Sequence, residues 1–316
     1  MRAFVSGGSG FVGGHLIERL VRDGHDVVAL ARSADAAEAV SGFGAAPVPG
    51  DLHADLVEHL RGVDRVFHAA ALVGSTGDRA AMQRVNVDGT ANLLDAAARA
   101  EVGRFVLVST ESVLLDGRSL DTVDETTPVP ADGHLSDYAA TKAAAERLVL
   151  AERRIDTVAV RPRLVWGPRD STWLPGLVAK VEAGVFRWVD DGRYLGSTCH
   201  VYNLVEGLVL AAERGHPGEA YFVTDGPPLP FREFATAYLG TVGVDPGDAS
   251  APGWLMGGVA AALETVWRLL PGDPPINRVE VNMVGHPMVL DDRKARRDLG
   301  YRPVISIEDG MAALVG

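Results

Sequence analysis

Val5-Ser6-Gly7-Gly8-Ser9-Gly10-Phe11-Val12-Gly13-Gly14-His15-Leu16 follows a short apolar run and opens a helical pattern. Two glycine spacings overlap in it, Gly8-x-Gly10-x-x-Gly13 and Gly7-x-x-Gly10-x-x-Gly13. Glycine here permits a tight turn, lets backbone approach a pyrophosphate, and lets helix and strand pack closely. The free amides at the start of the helix then meet negative phosphates. The strand–turn–helix context is what such a fingerprint requires.

The same rhythm continues outward. Apolar runs at Ala3–Ser6, Asp26–Leu30, Ala46–Pro49, Arg65–His68, Phe105–Ser109 and Thr157–Arg161 read as strands. Helical patterns lie between most of them, at Val12–Arg22, Arg79–Ala100 and Ser136–Arg153. The runs show no period-2 alternation, which suits strands buried on both faces. Repeated strand–helix–strand units predict an α/β fold with a doubly wound parallel sheet, a Rossmann-type dinucleotide-binding domain over residues 1–165. Beyond Trp166, Gly and Pro punctuate shorter elements, for example Gly226-Pro227-Pro228 and Pro271-Gly272-Asp273-Pro274-Pro275. Residues 166–195 and 226–316 are expected to form a smaller, mostly helical substrate-binding lobe. Residues 196–225 are expected to return to the main sheet.

Bulk properties narrow the function. A chain of 316 residues with 47% hydrophobic and 23% charged residues is globular. A net charge of −12 argues against a nucleic-acid surface. Cys199 is the lone cysteine, so no intrachain disulfide can form. Met1 leads directly into a strand pattern, so no signal peptide and a cytoplasmic location are expected. Trp254–Leu270 spans 17 residues and carries Glu264 and Arg268. It reads as core or lid, ahead of a substrate wall or a membrane-surface helix, and no stable membrane insertion is expected.

Tyr138-Ala139-Ala140-Thr141-Lys142 puts a phenol and an amine on one helix face. A tyrosine titrates near 10, and a neighbouring ammonium should lower that value. Phe105-Val106-Leu107-Val108-Ser109-Thr110-Glu111-Ser112 ends a strand in hydroxyls, where ligands of open α/β sheets bind. Downstream of the glycines, the second strand ends Ala31-Arg32-Ser33 rather than in an acid. A guanidinium at Arg32, with Ser33 beside it, suits a 2′-phosphate, so NADP is favoured and NAD is left open.

Together the glycine turn, the hydroxyl strand end and the Tyr-x-x-x-Lys pair resemble the extended short-chain dehydrogenase/reductase family. The resemblance is to its branch of 3β-hydroxysteroid dehydrogenases, dihydroflavonol-type reductases and NAD-dependent epimerase/dehydratases. It extends to Gly50-Asp51-Leu52, Phe67-His68-Ala69-Ala70-Ala71, Asn86-Val87-Asp88-Gly89-Thr90, Arg161-Pro162-Arg163 and Leu299-Gly300-Tyr301. It implies Tyr138 as general acid/base, Lys142 as its electrostatic partner and ribose ligand, and Thr110, with Ser109 as its near neighbour, as the catalytic hydroxyl. The cofactor residues it implies are Gly7, Gly10, Phe11, Val12 and Gly13 at the turn, and Asp51 and Leu52 at the adenine. Ala69, Ala70 and Ala71 would form the wall, Asn86 would order the site, and Arg161 would lie near the nicotinamide. A homodimer through the helices at Arg79–Ala100 and Ser136–Arg153 is implied by resemblance alone.

Departures are informative. One acid, Glu111, follows Thr110 where nucleotide-sugar dehydratases carry an Asp-Glu pair, so dehydration is disfavoured and Glu111 reads as a polar residue lining the cleft. Trp166 stands where tyrosine is usual and reads as pocket variation or packing. His15, His25, His53, His59, His68 and His200 have no metal-ligand spacing, so no metal is expected. The leading expectation is an oxidoreductase that interconverts a secondary alcohol and a ketone on a hydrophobic, sterol- or polyketide-like small molecule. A nucleotide-sugar epimerase is the alternative, with Arg163, Arg169, Arg187 and Arg193 as candidate phosphate ligands. A non-catalytic NADP-sensing protein is the third reading, and it would have no use for the Tyr138/Lys142 pair.

Overall fold

The computed structural model describes residues 1–74, 79–267 and 274–315. Seven parallel strands form the main sheet: β1 (Arg2–Ser6), β2 (Asp26–Ala31), β3 (Ala46–Pro49), β4 (Arg65–His68), β5 (Arg104–Val108), β6 (Asp156–Arg161) and β7 (Glu219–Phe222). Their order is β7-β6-β5-β4-β1-β2-β3. The order reverses between β1 and β4, and that switch point opens a crevice beyond the carboxyl ends of the strands. All six strands expected from the apolar runs are present, and the chain does return to the sheet at β7.

Two apolar layers hold the helices. On one face Leu16, Ile17 and Leu20 of α1 (Phe11–Arg22) pack with Val5, Val106, Val160 and the α6 helix (Val201–Arg214). On the other, Leu93, Leu94 and Ala97 of α3 (Gly89–Arg99) pack with Phe4, Val66 and Phe105. Alternate residues of each strand therefore feed opposite cores, which accounts for the missing polar alternation. The α2 helix (Ala34–Gly42) is capped by Ser33, whose hydroxyl accepts from the Ala36 amide. The α4 helix (Asp137–Ala151) is capped the same way by Ser136 and the Ala139 amide.

The pattern predicted as one helix over Arg79–Ala100 is interrupted. A short α-helical turn, Arg79–Met82, passes into a π-helical segment, Gln83–Asp88, before α3. Such π segments recur near functional sites, and this one carries Asn86.

The C-terminal lobe contains α5 (Trp173–Glu182), α7 (Phe231–Gly240), α8 (Gly253–Trp267) and α9 (Arg278–Gly285). The α8 helix is not core: only Met256 and Ala260 are buried, while Trp254 is 79% exposed. Its period leaves one narrow stripe against Val189 and Val281. Arg268–Leu270 and Pro271-Gly272-Asp273 lie outside the described residues. Among the described residues no helix is long and apolar enough to cross a membrane.

The sequence reading assigned all of 226–316 to this lobe, but part of it belongs to the main core. Ala295, Leu299 and Tyr301 pack there, and the Tyr301 hydroxyl donates to the Thr224 carbonyl at 2.7 Å. Short apolar residues in a basic helix face carry too little pattern to announce that docking. Tyr301→Phe should strand a buried carbonyl and lower stability by about 1–3 kcal/mol, as read by urea denaturation; an unchanged midpoint would remove Tyr301 as the anchor.

Candidate active site

The glycine turn is built for close approach. Gly7 has φ +73°, and a Cβ there would sit 2.5 Å from the Ala70 amide nitrogen. A Cβ at Gly13 would lie 2.1 Å from the Gly7 carbonyl oxygen. Gly10 is the N-cap of α1 with no side-chain cap, so the helix presents its first amides towards the crevice. The bare cradle, the amides and the flanking wall fit a dinucleotide pyrophosphate.

That wall is braced from below. His68 is buried, bonded to Ser6 Oγ at 2.6 Å and to Thr90 Oγ1 at 2.8 Å. Burial, with the charge of Lys142, pushes its imidazole down to about 3, so it stays neutral. Asn86 holds Leu72 at both ends, accepting from its amide and donating to its carbonyl, and also donates to Thr141. The loop carrying Ala69, Ala70 and Ala71 is thereby tied to α4.

The α4 helix is set by a residue the sequence reading did not single out. Glu146 continues the spacing Tyr138, Lys142, Glu146 one turn further. It accepts from Ser109 Oγ at 2.6 Å and from Arg161 Nε and Nη2 at 2.9 and 2.5 Å. All three side chains are buried. Ser109 is thus turned to Glu146, while Thr110, whose hydroxyl donates to Glu111 at 2.8 Å, lies beside the Tyr138 phenol. Lys142 donates to the Val108 carbonyl at 2.7 Å, which carries its head to the end of β5. Arg161, expected near the nicotinamide, does not line the cleft; its guanidinium serves Glu146, and Pro162 takes the lining position. The missed signal was the third member of an i, i+4, i+8 series on one helix face.

The electrostatics depart from the expected arrangement. Burial and the charge of Glu111 raise the Tyr138 phenol well above its ordinary range, and the neighbouring Thr110 hydroxyl only partly opposes them. Burial lowers Lys142 to about 8, partly offset by Glu146. In the protein itself the phenol therefore stays protonated, because burial and the negative charge of Glu111 both disfavour the phenolate.

A cleft of about 630 Å³ connects the glycine turn to the C-terminal lobe. Gly7, Gly10, Phe11, Val12, Gly13, Ala69 and Ala71 line one end. Thr110, Glu111, Tyr138 and Lys142 line the middle. Trp173, Leu177, Phe186, Met256, Val281 and Met283 line the far end, which is mostly apolar. Arg32, Ser33, Asp51 and Leu52 lie outside this lining, at the ends of β2 and β3. Arg32 is exposed and forms no ion pair with the described residues. Asp51 accepts from the His53 amide, and Leu52 is buried against α3.

The four arginines weighed as phosphate ligands do not converge. Arg163 is buried against the Ser197 and Met283 carbonyls. Arg169 pairs with Glu18 and His15, and Arg193 lies over Tyr194. Arg187 lines the cleft but bonds its own loop. Trp166 is packing, fully buried with its indole nitrogen on Asp225, and His200 packs edge-to-face against it and caps α6.

A sequence profile of the 3-beta hydroxysteroid dehydrogenase/isomerase family matches residues 4–251. This chain belongs to that family. It is an NAD(P)-dependent oxidoreductase of the extended short-chain dehydrogenase/reductase type. Within the family's reach it is 45% identical, over 99% of this chain and 96% of the relative, to the 4-hydroxy-2-methyl-3-oxo-4-farnesyl-3,4-dihydroquinoline-1-oxide ketoreductase of Stigmatella aurantiaca. It is 37% identical, over 99% and 98%, to the 2-alkyl-3-oxoalkanoate reductase of Stenotrophomonas maltophilia. Among solved structures, the dTDP-glucose 4,6-dehydratase DesIV of Streptomyces venezuelae, with NAD and TYD bound, superposes with a TM-score of 0.77. That match has 27% identity and covers 100% of this chain and 96% of the other.

Two substitutions probe this geometry. Gly13→Ala should weaken dinucleotide binding at least tenfold by calorimetric titration, about 1.4 kcal/mol; unchanged affinity would mean the turn is not the cradle. Glu146→Gln should leave Arg161 a buried charge without its partner and cost about 3–5 kcal/mol in denaturant unfolding.

Proposed function

We propose that this enzyme reduces a ketone on a hydrophobic small molecule to a secondary alcohol, and runs the reverse oxidation, with Tyr138, Thr110 and Lys142 as its catalytic residues. The observation that carries the reading is the Thr110 hydroxyl beside the half-buried Tyr138 phenol, midway along a cleft with a bare glycine cradle at one end and apolar walls at the other. The relatives named as reducing a 3-oxo-farnesyl-dihydroquinoline oxide and 2-alkyl-3-oxoalkanoates support a long-chain or polyketide-like ketone for this chain.

The bound nicotinamide supplies the hydride chemistry. Tyr138 gives its phenolic proton to the carbonyl oxygen in reduction and takes the hydroxyl proton in oxidation. Thr110 holds that same oxygen beside Tyr138. Lys142, as a cation, stabilises the phenolate formed when the proton leaves and binds the nicotinamide ribose. The raised phenol keeps the acid form populated, which suits ketone reduction. An epimerase reading lacks support from the dispersed arginines.

NADP is part of the same proposal. Arg32 ends β2 beside the cradle, exposed and unpaired among the described residues, and a guanidinium there suits a 2′-phosphate. So are a cytoplasmic location and a homodimer. The α3 and α4 helices lie side by side on one face, with Leu148 40% exposed on α4, as a self-complementary patch requires.

Tyr138→Phe should lower kcat for a 2-alkyl-3-oxoalkanoate by about 10²–10⁴-fold with NADPH affinity retained; wild-type turnover would end the reading. Lys142 titrates at about 8, below its unfolded value, so its cation is present under that pH and lost above it. Reduction should therefore decline as pH rises through about 8, and Lys142→Met should flatten that limb of the profile. Arg32→Ala should shrink the ratio of NADH to NADPH dissociation constants towards one; a wild type preferring NADH would overturn the NADP assignment.

A further inference from the structure

Glu111 is a buried acid that the reaction above does not use. Thr110 donates to its Oε2 at 2.8 Å, and its Oε1 lies 3.7 Å from Arg163 Nε. Both Glu111 and Arg163 are nearly sealed from solvent. On one side, through Thr110, is the Tyr138 phenol. On the other side is a second, small pocket of about 10 Å³, lined by Glu111, Arg118, Arg163, Asn282 and His286 among others. Such a volume holds about one water, and Glu111, Arg163 and Asn282, set in an otherwise largely apolar lining, offer the partners a water needs. Arg118 and His286 are exposed, so that pocket abuts bulk solvent.

A hydroxyl has one proton and two lone pairs. Thr110 donates its one proton to Glu111 at rest; to pass that proton to Tyr138 it must turn it to the phenolate and accept another in its place. Glu111 is the group placed to give it.

We infer that Glu111 is a proton relay, returning the proton that Tyr138 spends in ketone reduction from solvent through the small pocket, by way of Thr110. This rests on the proposed role of Tyr138. After Tyr138 gives its proton to the carbonyl oxygen, the phenolate takes the Thr110 proton. Thr110 takes the Glu111 carboxyl proton, and the Glu111 carboxylate is reprotonated from the water side. One proton enters from solvent for each ketone reduced, and oxidation runs the chain in reverse. The charged and titratable groups facing Glu111 are Arg163 from the loop after β6, Tyr138 from α4, Arg118 from the following loop and His286 after α9. Burial raises the Glu111 carboxyl and Arg163 only partly restrains it, so the group exchanges its proton closer to neutrality than an exposed glutamate.

The test is stopped-flow reduction of a 2-alkyl-3-oxoalkanoate by NADPH with Glu111→Gln, Glu111→Ala and Tyr138→Phe. Glu111→Gln should keep a wild-type burst of one equivalent of NADPH consumed, because Tyr138 starts protonated. Its steady-state kcat should then fall about 10²-fold, with an enlarged solvent deuterium isotope effect. Glu111→Ala should behave alike and recover at least tenfold in formate, which fits the vacated space. Burst and steady state falling together, a wild-type kcat, or no response to formate would overturn the relay. If Tyr138→Phe turns over normally, the fault lies instead with the proposed chemistry of Tyr138. NADPH affinity and melting temperature, measured for each variant, separate a folding defect from a lost proton path.

Discussion

The site depends on one buried carboxylate. Glu146 gathers Arg161 from β6 and Ser109 from the end of β5 onto α4. A buried ion pair of this kind adds little net stability, since desolvation offsets the attraction. What it supplies is registration. With Glu146 fixed, the rotation of α4 about its axis is fixed, and Lys142 and Tyr138, one and two turns back, must face the end of β5. Lys142 then reaches the Val108 carbonyl, and Thr110 is left as the hydroxyl beside the phenol.

The two halves of the cleft arise from different physics. The cradle end is made by absence: at Gly7 and Gly13 even a methyl group would collide with backbone. The substrate end is made by presence, with Trp173, Leu177 and Phe186 from around α5 and Met256 and Val281 from α8 and α9. The α8 helix joins the two ideas of core and surface. It contributes Met256 to the cleft and leaves most of its other apolar residues outside.

Charge inside the cleft follows burial more than pairing. Tyr138 is raised and Lys142 lowered, the reverse of a simple ammonium–phenolate pair. Desolvation acts on both groups before any neighbour does, and Glu111 adds negative charge on the tyrosine side. The protein alone therefore stores the proton on the phenol. Chemistry that removes it needs charge from the bound ligands and a route for its return.

Most of the fold was legible in the chain itself. The six apolar runs and the glycine turn specify a parallel sheet and a dinucleotide site because strand burial and backbone sterics act locally. That Tyr138 and Lys142 share one helix face was legible for the same reason, since helical spacing is a local rule. The π-helical break at Gln83–Asp88, the docking of Tyr301 and the roles of Glu146 and Arg161 were not. Each depends on which distant side chain arrives at the same place, and a buried glutamate on a helix looks in sequence like any solvent-facing one. Tertiary structure alone decided that Ser109 turns to Glu146, because adjacent residues at a strand end point to opposite faces and only the packed sheet says which face meets α4.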